Sequence, residues 1–342
     1  MSPGRDRRRR IRTRLLPLVA VLLALAIGLF VIVRFDGGSS DRAARDGPAS
    51  PAKQRRSRPV ARLAPRGLPE AISGEAVVGL PGRVLVIGGL DSGDASTSRA
   101  LALRTATGRF SQLRALSEPR HDTAAAAIGG KVLVFGGGSL TELDSVESLS
   151  GGGSTEVIGR LPTTRSDLSA ITVASRVYVL GGYDGRRPLE PVLETIDGRR
   201  FSVVGRLPVP FRYAAVAAIG KTIYTFGGEL ADGLDSDAIQ AIDTGSGRAR
   251  VIGHLPRPLS HASAVALGGQ VYVLGGSSRE DPTDGILRFD PTTGTARLAG
   301  RLPFAVTNAA AAAVGDIGYL IGGLDSEAVS LASVIEVRLA AR

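Results

Sequence analysis

The chain has 342 residues and a formal net charge of +10, with no cysteine, no tryptophan and 4% aromatic residues. The charge is local: residues 1–58 hold 14 basic and 4 acidic side chains, so the remainder balances 28 against 28. A neutral body with few rings offers neither phosphate neutralisation nor base stacking, which argues against nucleic acid as a partner, and the lack of cysteine excludes disulfides, thiolate chemistry and Cys-ligated metals.

In chain order, residues 1–14 form a basic N-terminus, with seven arginines between Arg5 and Arg14. LLPLVAVLLALAIGLFVIV, residues 15–33, then runs without a charge. As a helix it would extend about 28 Å, close to the hydrocarbon thickness of a bilayer. Arginines before it, against Arg34 and Asp36 after it, predict a signal-anchor helix with a cytoplasmic N-terminus and everything beyond it extracytoplasmic. The competing reading is a cleavable signal peptide, but the apolar run is long for one and RFDGGSS offers no small-x-small cleavage site. Residues 34–58 have no apolar periodicity and read as a flexible linker, with an end-to-end distance of roughly 27 Å.

From residue 59 a repeat takes over. Strand-like runs stop on paired glycines whose first members are Gly88, Gly136, Gly181, Gly227, Gly275 and Gly322, so that successive pairs are 45 to 48 residues apart. Each run follows an alanine-rich stretch and a short turn. Helix propensity alone would make the alanines helical, but five to seven residues between turn signals suits a strand, and small side chains suit a crowded one. A third strand such as GILRFD, a turn such as DPTTG and a fourth strand such as ARLAGRLP complete each unit. Four antiparallel strands repeated radially make a propeller blade. The sixth unit ends without a fourth strand, while PVARLAPRGLP (59–69) stands before the first unit and matches TARLAGRLP (295–303). Residues 59–64 are therefore expected to close the ring as the last blade's fourth strand, removing an open edge.

The pattern resembles the Kelch repeat: a double glycine, with Tyr178, Tyr224, Tyr272 and Tyr319 three residues before it and Leu85 and Leu133 in the other two units. The family's tryptophan is absent, with Phe110 and Phe201 as its aromatic remnants. The resemblance, which covers residues 59–342, implies an all-β, six-bladed Kelch-type propeller of four-stranded blades, and the apolar run at 15–33 sets it behind one transmembrane helix. For function it implies a protein- or glycan-binding interaction module, with a carbohydrate-active epimerase or mutarotase, like the sialic acid mutarotases of this architecture, as the alternative. The radical copper cofactor of galactose oxidase-type propellers needs a cysteine and is ruled out, and no other cofactor is expected.

Repeat position separates scaffold from candidates. Asp197, Asp243 and Asp290 precede glycine-containing turns and read as turn formers, and His254 falls where other units have arginine, as a solvated strand end. No nucleophile motif or spaced pair of metal ligands is visible. The non-repeating residues lie in the loops after the glycine pairs and after the Leu-Pro dipeptides, expected to share one face around the channel mouth. They include Tyr183, Arg279 and Glu327, and Asp122, Asp167 and Asn308. The candidate binding set is Asp91, Arg120, His121, Arg165, Asp184, Arg186, Arg212, Tyr213, Glu229, His261 and Asp325. Within it Arg120, Arg165 and Arg212 are expected to form a cationic arc beside Asp91, Asp184 and Asp325, able to hold a carboxylate or acidic sugar. Strongly displaced ionisations converging at the mouth would favour the enzyme reading, and an unshifted rim the binding one.

Overall fold

The computed structural model describes residues 58–150, 155–279 and 281–340. The expected cytoplasmic segment, membrane helix and nearly all of the linker lie outside the described residues. Among those described, no helix is long and apolar enough to cross a membrane.

Six four-stranded antiparallel sheets follow one another radially. The first strands, Ala76–Leu80, Ala124–Ile128, Ser166–Val173, Ala215–Ile219, Ser263–Leu267 and Ala310–Val314, touch in sequence around a central channel. Their alanines line it together with Val77, Ile171, Val216 and Val265, and a helix-favouring composition forms strands here because each stretch is tied by a tight turn to its second strand and pairs with it. The last blade is built from both ends of the described chain. Arg58–Leu63 pairs with Val334–Ala340, with Arg58 opposite Ala340 and Leu63 opposite Ile335, one residue earlier than the sequence indicated.

The core lies between blades. Each second strand is apolar on both faces and gives one face to each neighbour. Leu85 and Ile87 of blade 1 pack with Val132 and Val134 of blade 2, and Leu133 and Phe135 pack with Val177 and Val179 of blade 3. The pre-glycine tyrosines Tyr178, Tyr272 and Tyr319 are buried in these layers, and Phe201 meets Phe135 edge-on.

The paired glycines stitch blade to blade. Both members have positive φ, 67° and 100° at Gly88 and Gly89. This turns the second amide outward, and its N–H donates to a carbonyl of the next blade: Gly89 to Arg120 at 2.8 Å, Gly137 to Arg165 at 2.9 Å, Gly182 to Phe211 at 2.8 Å, Gly228 to Leu259 at 2.8 Å and Gly276 to Val306 at 2.8 Å. Gly323 closes the circle onto Ile72 at 2.9 Å. A Cβ on the first glycine would clash with that same carbonyl or, at Gly181, with the Phe211 ring. The repeat therefore needs glycine for both space and φ.

Candidate functional site

Two residues beyond each seam carbonyl the chain reaches the rim of the channel, at Gly74, Asp122, Asp167, Tyr213, His261 and Asn308. All six have left-handed φ, from 46° to 62°. Each N–H donates to the carbonyl of the equivalent residue one blade back: Asp122 to Gly74 (2.7 Å), Asp167 to Asp122 (2.9 Å), Tyr213 to Asp167 (3.2 Å), His261 to Tyr213 (2.9 Å), Asn308 to His261 (3.0 Å) and Gly74 to Asn308 (3.2 Å). The result is a closed ring of six backbone hydrogen bonds around a cavity of about 180 Å³. Because backbone groups satisfy one another, the side chains at these positions are free to differ and project toward the mouth.

They form one connected network. The Tyr213 hydroxyl donates to Asp122 Oδ2 at 3.3 Å, and its ring stacks on His261 with centroids 3.9 Å apart. Arg212 donates through Nε to Asp167 at 2.6 Å, through Nη1 to Glu229 at 3.3 Å and through Nη2 to the Tyr213 oxygen at 3.2 Å. Its guanidinium also lies 4.4 Å above the Tyr183 ring. His121 Nδ1 is 2.8 Å from Ser96 Oγ, and its Nε2 is 3.9 Å from Asp122. Because residue 74 has no side chain, the Asp122 carboxyl leans over it toward Asn308; a Cβ there would meet Asp122 Oδ1 at 2.6 Å.

Burial displaces these ionisations. It pushes the Asp122 carboxyl up to about 7, with the neighbouring Asp167 charge adding to the rise, and Tyr213 and Arg212 opposing it. Glu75, beside Asp122 on the first blade, is pushed up to about 8, chiefly by burial. Burial takes His261 down to about 4, and lowers His121 as well, so both imidazoles are neutral near pH 7. Burial would lower Arg212, but Asp167, Tyr213 and Glu229 outweigh it and hold the guanidinium charged. Glu229 is raised, mainly by desolvation.

The other candidates fall elsewhere, and the expected arginine arc does not form. Arg120 is fully buried between blades, bonded to the Gly136 carbonyl and Ser145 Oγ, both at 3.1 Å, and paired with Glu118 at 3.0 Å and Glu147 at 3.4 Å. Arg165, 2% exposed, donates to the Gly181 carbonyl at 3.1 Å and the Pro191 carbonyl at 3.4 Å. The reason is register. The structural counterpart of Arg120 and Arg165 in blade 4 is Phe211, not Arg212, and the first two occupy the seam position that is apolar in the other blades. Arg212 stands one residue nearer the ring. Asp91, Asp184 and Asp325 each accept two backbone N–H bonds within their own loop; they shape the rim, and Arg186 is exposed on it. Asp197, Asp243 and Asp290 cap turns in the same way, and His254 is exposed beside Asp237. Of the expected set, the structure brings His121, Arg212, Tyr213, Glu229 and His261 together. It adds Asp122, Asp167 and Asn308 from the rim loops, and Glu75, which the sequence reading passed over. Its one signal was an acidic residue opening a strand whose counterparts are Thr123, Leu168, Ala214, Ala262 and Ala309. Among the described residues, no group of three or more His, Cys, Asp or Glu side chains is placed to hold a metal ion.

Comparison with known proteins fits this architecture. The family model for the Kelch motif matches residues 258–295. Kelch repeat protein M-T8 of Myxoma virus (strain Lausanne) is 29% identical over 168 residues, a match covering 47% of this chain and 32% of that protein, so the chain spans about a third of the length of that curated relative. The solved structure of YjhT superposes with a TM-score of 0.70 at 16% identity, covering 78% of this chain and 95% of that one. The chain is an all-β, six-bladed propeller of four-stranded blades that matches the Kelch motif over residues 258–295.

Proposed function

We propose that this propeller is an interaction module, anchored by residues 15–33 and displayed outside the cytoplasm, whose working site is the channel mouth. One observation carries the reading: a ring of identical backbone geometry bears Asp122, Asp167, Tyr213, His261 and Asn308, side chains that the scaffold does not require and that surround one small cavity. Loops and rims of rigid propellers are where recognition is free to diversify. The partner is a protein or a surface glycan. The full-length chain is to be used as bait in a pull-down and on a glycan array, beside Asp122→Asn/Tyr213→Phe. Capture that the double variant loses, at a melting temperature no lower than the parent's, supports the mouth; capture that survives refutes it. A reporter fused after Arg342 tests the topology and should be active only outside the cytoplasm.

A second reading, proton transfer on a sugar, is favoured by the Asp122 carboxyl near 7 bonded to the Tyr213 hydroxyl. A carboxyl poised near the working pH beside a hydroxyl is what ring opening and closing at an anomeric centre requires. Anomer equilibration followed by NMR should then be faster with the parent chain than with Asp122→Asn. Equal rates for the two remove this reading.

A further inference from the structure

Resting on the reading of the mouth as the working site, we propose that it receives a basic side chain, the guanidinium or ammonium group of a partner protein's Arg or Lys, and not an anionic ligand. The expectation of an acidic ligand rested on three arginines, of which two are sealed between blades and one is spent. Arg212 already holds Asp167, Glu229 and the Tyr213 oxygen with its three nitrogens and lies against two aromatic faces. An incoming carboxylate would have to break those bonds to reach it.

Acceptors, in contrast, are in excess. Asp122, Asp167 and Glu229 face one guanidinium, Glu75 adds a further carboxyl beside Asp122, and both neighbouring imidazoles are neutral. Asp122 accepts a single bond, at 3.3 Å from Tyr213, although a carboxylate can accept about four. Glu75 is the independent sign. It is 5% exposed and borders the same cavity, its Oε1 takes the Ala310 N–H at 3.2 Å, and its Oε2 is buried without a hydrogen-bond partner. Such an orphan is costly unless something completes it. A guanidinium or ammonium seated beside Asp122 supplies both donors and positive charge, favouring the ionised form of carboxyls that burial holds protonated. The groups facing Asp122 are Asp167, Glu75, Tyr213, Arg212 and His121, and only Arg212 opposes a cation.

The setting fits a side chain presented by a protein. The cavity of about 180 Å³ admits one polar head and a few waters, at about 30 Å³ of liquid volume per water. On the loops after the glycine pairs of blades 2, 4 and 6, Leu140, Leu234 and Val329 are 100%, 64% and 54% exposed. An arginine anchor in a central pocket with apolar contacts around it is a common arrangement of binding hot spots.

The test uses the full-length chain and two blocked tripeptides, arginine between glycines and citrulline between glycines, followed by NMR line broadening or calorimetry. Citrulline keeps the shape and removes the charge. The arginine peptide should bind at least about tenfold more tightly than citrulline, lose about tenfold with Asp122→Asn, and bind more tightly at pH 8 than at pH 6, because a cation competes with the proton on Asp122. Equal binding of the two peptides, preference for a glutamate tripeptide, or no binding of the arginine peptide at about 10 mM overturns the proposal. Spermidine serves as the free-amine control: if it binds as tightly as the arginine peptide, the mouth takes small amines and the protein partner is refuted. The two levels fail separately. An anionic partner from the pull-down that still depends on Asp122 refutes the cation and keeps the mouth, whereas arginine binding indifferent to Asp122 removes the mouth itself.

Discussion

Residues 72, 120, 165, 211, 259 and 306 and residues 74, 122, 167, 213, 261 and 308 lie two positions apart in six blades, yet they answer to different constraints. The first set offers its carbonyl to the preceding blade's second glycine and buries its side chain in the seam. The second set also makes one backbone bond per blade, but its side chains face the channel and comprise Gly, Asp, Asp, Tyr, His and Asn. Where both backbone and side chain are used by the scaffold, the residue is apolar or fully partnered. Where only the backbone is used, chemistry can vary without loss of the fold. A protein of this design separates stability from recognition by a step of two residues along the chain.

That separation can be broken at several points, beginning with ring closure. Removal of residues 1–57 should leave the melting temperature unchanged, whereas removal of residues 1–70 deletes the strand Arg58–Leu63 and buried Leu68. The longer deletion exposes an edge and should cost several kcal/mol or prevent folding. Equal melting temperatures would show that the seam between the two chain ends contributes nothing.

Next come two glycines of similar φ, Gly227 at 63° and Gly220 at 59°. Alanine at Gly227 would drive its Cβ into the Leu259 carbonyl, while at Gly220 nothing lies within 4 Å. Gly220→Ala should cost only the left-handed penalty, about 1 kcal/mol, and Gly227→Ala at least about 3 kcal/mol more, since backbone must move. Thermal melts of the pair measure the seam apart from the φ preference; similar losses would mean that the inter-blade contact is soft.

The two buried arginines sharpen the comparison further. Removing Arg120 leaves buried Glu147 without its cation, so Arg120→Leu should lose about 3 kcal/mol. Arg165 has only carbonyl partners and an orphaned Nε, and burial pushes it down to about 10. Arg165→Leu places there the residue found at Leu259 and should be within about 1 kcal/mol of the parent, or more stable. Neither change should alter binding at the mouth. A greater loss at Arg165 than at Arg120, read from denaturant midpoints, would reverse this assignment.

The repeat was legible because it is written in backbone requirements. Glycine pairs, alanine strands and Asp turns each answer a local geometric need, so their spacing yields blades, and the match between 59–69 and 295–303 yields closure. The mouth was half legible. Loops that escape the repeat could be recognised as candidates, but Arg120, four residues after Leu116, and Arg212, five after Leu207, look interchangeable until the ring fixes which of them is two residues from a left-handed position and which is one. Glu75 left even less trace, because a single acidic residue at the start of an apolar strand reads as solvated, and only the absence of a side chain at Gly74 brings Asp122 close to it.

Glu75 also gives the smallest and most direct test of the mouth's electrostatics. Its carboxyl is raised from 4.5 to about 8 in the folded chain, so between those values the folded state binds a proton that the unfolded state has released. A raised carboxyl contributes stability that is present below the unfolded value and lost as pH rises toward the folded one. Stability should therefore fall with rising pH across this window, by at most about 1.4 kcal/mol per unit from this group. Asp122, raised from 3.8 to about 7, acts in the same direction up to neutrality. Glu75→Gln keeps an acceptor for the Ala310 N–H and has no proton to lose. Relative to the parent it should gain on the order of 2 kcal/mol between pH 5.5 and 7, read from urea midpoints at each pH. If the difference is flat while Asp122→Asn still changes the slope, Glu75 is ionised at neutral pH and its partner is a donor that burial and bonding have not disclosed; if the parent gains stability as pH rises, the mouth is not the buried, proton-holding cluster its geometry implies.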